Sequence, residues 1–489
     1  MGVLLFVSGQ GQELFQFEFL PDVPPNNGLQ IQPGLAGPYV GVTAGALVLA
    51  GGANFPDGMP WEGGLKHYYD GIFYLIKKEG NAFEWHLSKS VLPQQLAYGG
   101  CVPVSGGLLL FGGKNADGVT DGTWIVNLDP LTGNCQIAEA ATLPRALSDF
   151  AFSVVGDYVY VAGGGNNAGV STNTFWRYPV NGTNAVKGTW EQLTDLPGPP
   201  RSFAVAATQS DGNHNCFYLF SGRTISQDGT ITLLQDGYVY DPVLARWSPL
   251  NPNVAFTVMA GTAFPLGSAS IVFPSAADGE LMAKELAMRD TLKQAQSAKD
   301  TARVQRLNQA LNKHVTGHPG FKTKIRIFNT ITQEMEFKGA LPTTAQVTTT
   351  VVSWDGGFIL PSGEIRPGVR TPKVLKIIPE NHKKTLGAWD ILVIIVYFAL
   401  LGFMGYFFSN RQKDVNDYFK GGNRVPWWAA GLSIFGTALS AITFMAIPAK
   451  TFATDWSYFM MNMTIFFVAP VIIILFIPFY RNLNITTAY

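Results

Sequence analysis

Cysteine is nearly absent from this chain of 489 residues: Cys101, Cys135 and Cys216 are the only three, with no Cys-x-x-Cys spacing. An odd, scattered trio builds neither a disulfide framework nor a zinc site, so the three read as buried apolar residues. Net charge is missing too. Lys+Arg and Asp+Glu number 34 each, which leaves no basic footprint and no expectation of a nucleic-acid partner. The N-terminus lacks the basic flank of a secretion signal, and the apolar run at 2–7 is shorter than an h-region of about 7–15 residues. Residues 1–13 are therefore either a first strand or the tail of a signal that starts upstream.

Charged residues make up only 14% of the chain, and they are unevenly spread. Up to about residue 380 the sequence is punctuated by Gly-Gly and Pro. From Trp389 three apolar stretches follow, at 391–408, 427–451 and 456–480. Each half needs its own reading.

In the first half a unit recurs: a strand ending in a pair of small residues, a polar loop, an aromatic-rich strand, then a Trp-bearing strand. The pairs fall at 51–52, 112–113, 163–164, 221–222, 275–276 and 362–363, so copies stand 51 to 61 residues apart except the last, at 87. Strand, double Gly, strand, Trp is the kelch pattern, one four-stranded blade per copy. Six copies predict an all-β, six-bladed kelch-type propeller over 14–378. The excess in the last interval is 280–315, which has no Gly or Pro and is rich in helix formers; it predicts a helical insertion. Val304, Leu307, Leu311 and Val315 give it one apolar stripe. A solvated helix across one blade is favoured over a partner-binding arm.

Two segments are more specific than the kelch pattern: GGANFPDGMPWEGGLKHYYDGI at 51–72 and LPSGEIRPGVRTPKV at 360–374. Both resemble the sialic acid mutarotases (N-acetylneuraminate epimerases), in an order that resembles the family's circularly permuted branch. The resemblance implies an isomerase of an acidic sugar, working without a cofactor. It implies Glu364 as proton acceptor, with Arg366 and Arg370 near the substrate carboxylate. Opening the hemiketal of a sialic acid needs a base at O2 and an acid at the ring oxygen. The alternative for Glu364 is a loop carboxylate paired with one of those arginines. Arg145 and Arg201, in LPRALSDF and GPPRSFAV, are candidate mouth-facing residues, against a structural blade-to-blade salt bridge. Asn54, Trp61 and His67 are candidates for a sugar platform, against loop packing. Gln94 and Gln95 stand where relatives tend to show an arginine. A propeller that binds the sugar without catalysis is the alternative function.

In the second half, 417–459 (DYFKGGNRVPWWAAGLSIFGTALSAITFMAIPAKTFATDWSYF) resembles the opening of the sodium/solute symporters. Their fold is an inverted repeat with a helix broken at mid-membrane. The resemblance implies a break at GTALSAIT, with Gly436 and Leu439 offering carbonyls to Na⁺ and Ser440 and Thr443 offering hydroxyls to the substrate. Close helix packing is the alternative role for such small residues. Three transmembrane helices over 388–489, reached through a linker at 379–387, fall short of that fold. A truncated symporter is expected, dependent on the remainder of the transporter. Arg411, Lys413, Lys420 and Arg424 lie between the first two apolar stretches and Arg481 follows the third. The positive-inside rule then predicts a multi-pass inner-membrane protein in contact with lipid, its propeller on the periplasmic side.

Overall fold

The computed structural model describes residues 14–483 except 27, 183–187, 278, 381–386, 411–424, 439–440 and 454; at 81, 388, 389, 438, 441, 442, 453 and 481 it describes the backbone alone. The chain divides into two compact units, 1–380 and 381–489.

Unit 1 contains six four-stranded antiparallel sheets, the blades. Blade 1 runs outward from Tyr39–Thr43 through Ala46–Ala50 and Gly71–Lys77 to Phe83–Val91. Blades 2 to 5 repeat this plan. Blade 6 takes its outer strand from the other end of the chain: Phe15–Leu20 pairs with Val374–Pro379 and closes the circle.

The strand runs are continuously apolar because both faces of every blade are covered. Side chains alternate along a strand. Leu47 and Leu49 therefore enter the core shared with blade 6, while Val48 and Ala50 enter the core shared with blade 2. Six buried clusters fill the six blade-to-blade interfaces. Half-buried Trp residues tie neighbouring blades together through their indole N–H donors. Trp85, Trp190 and Trp247 donate to Pro21, Ala141 and Thr194 carbonyls of the preceding blade at 2.8, 3.0 and 3.1 Å.

Around the axis one residue per blade adopts left-handed backbone: Gly37, Tyr98, Asp149, Phe203, Ala260 and Thr348, with φ between 52° and 64°. Their main chains form a closed ring. Tyr98 N–H donates to Gly37, Asp149 to Tyr98, Phe203 to Asp149, Ala260 to Phe203, Thr348 to Ala260 and Gly37 to Thr348, at 2.6 to 3.0 Å. Five of the six are not glycine, so the ring carries real strain.

The helical insertion of blade 5 is a pair rather than the single helix expected over 280–315. Helices α1 (Gly279–Ser297) and α2 (Thr301–Thr316) are separated at Lys299, which has φ +54°. Asp300 caps α2 by accepting from Arg303 N–H at 2.9 Å, and this local bond stops one helix running through. Val304, Leu307, Leu311 and Val315 are all partly buried. The three cysteines are buried and free. Cys216 lies with Asp211 and His214 in a group of metal-ligating types, but His214 Nε2 is already paired with Asp241 at 2.8 Å.

Unit 2 is helical: α3 (Ala388–Ser409), α4 (Trp427–Ala438), α5 (Ala441–Ala453), then short helical pieces through Asn482. Among the described residues two helices are long and apolar enough to cross a membrane, Asp390–Ser409 and Ser457–Tyr480, and neither is buried within the protein. Of the stretch expected to form the second of three spans, α4 covers Trp427–Ala438 and α5 Ala441–Ala453, and 439–440 lie outside the described residues.

Candidate active site

The first residue after each strand-end pair stands at an equivalent place in its blade. These are Ala53, Lys114, Gly165, Arg223, Ala277 and Glu364. Five of them bridge to the residue just before the axial ring, as Ala97↔Lys114, Ser202↔Arg223 and Val347↔Glu364 illustrate. The sixth, Ala277, donates its N–H to Met259 O at 2.9 Å. Around this end of the channel a mouth of about 400 Å³ opens, within the usual range of ligand sites. Its wall carries Lys66, Lys114, Arg223 and Arg370 against Glu285 and Glu364. Cations outnumber carboxylates there, which suits an anion.

Glu364 is positioned by a small ribbon, Glu364–Arg366 with Val369–Arg370, turned by Pro367 and Gly368. Cross-strand partners on a ribbon share a face, and Glu364 pairs with Arg370. One carboxylate oxygen accepts from Gly368 N–H at 2.6 Å; the other lies 3.7 Å from the Arg370 guanidinium. The side chain keeps 15% exposure, enough to be reached from the mouth. Gly368 has φ +81°, and a Cβ there would stand 3.0 Å from Pro60 and 3.1 Å from the Trp61 ring. Glycine is required for this close approach. It seats the blade 6 ribbon on the blade 1 loop.

Arg370 donates to Gly368 O at 2.6 Å and lies 4.4 Å from the centre of the Phe55 ring. Arg366 takes another course: it donates to Thr316 O at the end of α2, at 3.0 Å, above Trp61. The two arginines are therefore not a joint clamp. Lys114 is paired with Asp149 at 2.6 Å, over the Tyr98 ring. Arg223 lies over Phe203 at 4.5 Å, its Nε without a hydrogen-bond partner among the described residues. Desolvation lowers its pKa. Lys66 Nζ sits 5.2 Å from the Tyr98 ring centre and 5.8 Å from that of Phe55. Its pKa is pushed down to about 8, first by desolvation and then by the charges of Lys114 and Arg370. Helix α1 closes one side with Leu281, Met282 and Glu285.

Several sequence candidates stand elsewhere. Arg201 is corrected from mouth to scaffold: it is fully buried, forked onto Asp236 at 3.0 and 2.9 Å, and donates to Ser221 O. Arg145 is exposed on a bend and does not line the mouth. Asn54 is buried, donating to Gly34 O and accepting from the Tyr69 hydroxyl, so it holds the loop rather than a sugar. His67 turns outward to Asp57 at 3.0 Å. Trp61 packs under the ribbon. Gln94 and Gln95 are exposed, and Gln95 lines a neighbouring cavity that shares Lys66 with the mouth. Lys66, Lys114 and Arg223 were missed. For Lys114 and Arg223 the signal was modest but present: GGK at 112–114 and SGR at 221–223 place a charge where SGE at 362–364 places Glu364.

In unit 2, Gly436 lies in α4 and Thr443 in α5. Leu439 and Ser440, and the basic residues Arg411, Lys413, Lys420 and Arg424, lie outside the described residues.

A model of the N-acetylneuraminate epimerase family matches residues 141–392, just over half of the 489. The chain belongs to that family. A model of the sodium:solute symporter family matches residues 418–488. The sodium/sialic acid symporter SiaT of Proteus mirabilis (strain HI4320) is 47% identical over 103 residues, 21% of this chain and 21% of that protein. The sodium/sialic acid symporter NanT of Aliivibrio fischeri (strain ATCC 700601 / ES114) is 40% identical over 106 residues, 22% of this chain and 21% of that protein. The N-acetylneuraminate epimerase of Brucella melitensis biotype 1 is 36% identical over 101 residues, 20% of this chain and 26% of that protein. The chain thus spans about a fifth to a quarter of the length of these curated relatives. The solved structure of YjhT aligns with 74% of this chain and 98% of its own, with a TM-score of 0.48 and 14% identity.

Proposed function

We propose that the propeller interconverts the anomers of free sialic acid (N-acetylneuraminate), with Glu364 as the base. The observation that carries this is Glu364 itself, an accessible carboxylate fixed by Gly368 and Arg370 in a mouth where cations predominate. Glu364 takes the O2 proton of the hemiketal, the C2–ring-oxygen bond opens, and the reverse steps close the ring on the other face. Arg223 receives the substrate carboxylate: among the described residues it is the mouth guanidinium with no carboxylate within ion-pair distance, and a planar fork suits that task. Arg370 positions Glu364.

The test is anomer exchange of N-acetylneuraminate followed by NMR with the detergent-solubilised chain. Glu364→Gln is expected to lower exchange by about 10²-fold or more, and equal rates in the two would overturn the reading. A binding-only propeller is the second reading, favoured by one observation: both Glu364 oxygens already have partners. Saturable sialate binding without exchange in the wild type would select it.

Unit 2 we assign to a sodium-coupled sialic acid symporter, supported by the family match and the two relatives. Transport belongs to a polypeptide that includes the rest of such a fold, lodged in the inner membrane with the propeller outside. The basic loop at 411–424 supports that orientation. Tethering the two would hold the equilibrated sugar near its transporter at an effective concentration of roughly millimolar. Reconstituted with those helices, uptake of labelled sialate should require an inward Na⁺ gradient; uptake indifferent to Na⁺ would refute it.

A further inference from the structure

Opening a hemiketal moves two protons, and Glu364 accounts for one. Around the mouth the cations fall into two groups. Lys114 is spent on Asp149 at 2.6 Å, and Arg370 faces Glu364 at 3.7 Å. Arg223 and Lys66 have no carboxylate within ion-pair distance among the described residues. A guanidinium stays protonated at any working pH, so Arg223 binds but cannot exchange a proton. Two further titratable groups line the mouth, Glu285 on α1 and His318, whose Nδ1 accepts from Gly320 N–H at 3.0 Å; of the two cations without a carboxylate, Lys66 is the one that can exchange a proton.

We propose that Lys66 is the second proton-transfer group of this site, the acid that protonates the ring oxygen while Glu364 removes the proton from the anomeric hydroxyl. The inference rests on the mutarotase reading and extends it to a residue in the blade 1 loop. The ammonium hangs over the Tyr98 and Phe55 rings, whose faces hold it at 5.2 and 5.8 Å without consuming its protons in a salt bridge. Phe55 is shared with Arg370, and Tyr98 with Lys114. Lys66 lines the mouth, so a substrate there can reach it.

The proton balance closes. On opening, the O2–H bond breaks to Glu364, the C2=O2 bond forms, the C2–ring-oxygen bond breaks, and that oxygen takes a proton from Lys66. After rotation about C2–C3 the hydroxyl adds to the other face of the ketone, returns its proton to the Lys66 amine, and the new O2 takes its proton from Glu364. Enzyme and sugar end in their starting protonation states. Such a relay works best when the acid's pKa is near the working pH. The groups facing Lys66 favour this: desolvation, Lys114 and Arg370 lower its pKa to about 8, while Glu364 and Asp149 act the other way. Tyr68 and Tyr98 also face it, and both are pushed up by burial, so they stay neutral.

The experiment compares wild type, Lys66→Arg and Lys66→Met in the full chain. Catalysed exchange is measured against pH, with uncatalysed exchange subtracted, and sialate binding is measured by calorimetry. The ammonium is the working form, so the wild-type rate should fall as pH rises through about 8. Lys66→Arg should bind sialate within a few-fold of wild type, exchange it about 10²-fold more slowly, and lack the alkaline limb. Lys66→Met should share the slow rate. Wild-type rate and limb in Lys66→Arg would overturn the proposal. So would a Lys66→Met variant whose loss of both binding and rate is restored by arginine, which marks a mere cation. Absence of exchange in the wild type would instead defeat the mutarotase reading, and this proposal with it.

Discussion

The guanidinium of Arg370 lies 4.4 Å from the centre of the Phe55 ring, although Phe55 belongs to the loop of blade 1 and Arg370 to the ribbon of blade 6. The site is therefore assembled across the junction of blades 1 and 6, and blade 6 is the one completed by the pairing of Phe15–Leu20 with Val374–Pro379. Binding and closure should rise and fall together.

Arg223 is expected to govern affinity. Arg223→Met should weaken sialate binding by about 10- to 100-fold, the worth of a charge-assisted hydrogen bond of roughly 1.5–3 kcal/mol. Titration calorimetry checks it, and an unchanged Kd would move the carboxylate to another cation.

Arg201 and Arg145 should separate cleanly. Arg201→Met leaves Asp236 without its fork, but Asp236 keeps 34% exposure. The cost is expected to be about 2–3 kcal/mol, below the usual value for a wholly buried pair. Exchange per folded molecule should be unaffected. Arg145→Ala should change neither quantity. Chemical unfolding followed by tryptophan fluorescence, with exchange on the same samples, provides the test; loss of exchange without loss of stability in Arg201→Met would return that residue to the mouth.

Thr348 carries φ +54° with a β-branched side chain, the poorest residue type for left-handed backbone. Thr348→Asn keeps the ring bonds and suits that conformation better. It should stabilise the propeller by about 1 kcal/mol, read as a higher unfolding midpoint. A lower midpoint would mean the threonine contributes packing that outweighs its strain.

The six blades were legible because their chemistry is local. Runs such as LVLA and YVYVA must be covered on both faces, and the small pairs mark each strand end. Glu364 and Arg370 were legible as a pair because a Pro-Gly turn at fixed spacing sets them opposite one another. Arg145 and Arg201 show the opposite case. Both follow a proline, yet Arg201 stands two residues before the axial Phe203 and Arg145 four before the axial Asp149; one is fully buried on Asp236, distant in sequence, and the other is exposed. Lys66 and Arg223 were overlooked because their meaning comes from which cations are already paired, a property of the assembled mouth. The break between α1 and α2 depended on Asp300 reaching a single backbone N–H, which no periodicity reveals.

The ring of six main-chain bonds separates what holds the propeller together from what it recognises. Since no side chain takes part in those bonds, the six positions just beyond the strand-end pairs resemble sockets around a fixed rim. Alanine, lysine, glycine, arginine, alanine and glutamate occupy them now. Lineages could exchange these occupants one at a time and acquire a new sugar preference while the architecture stayed untouched.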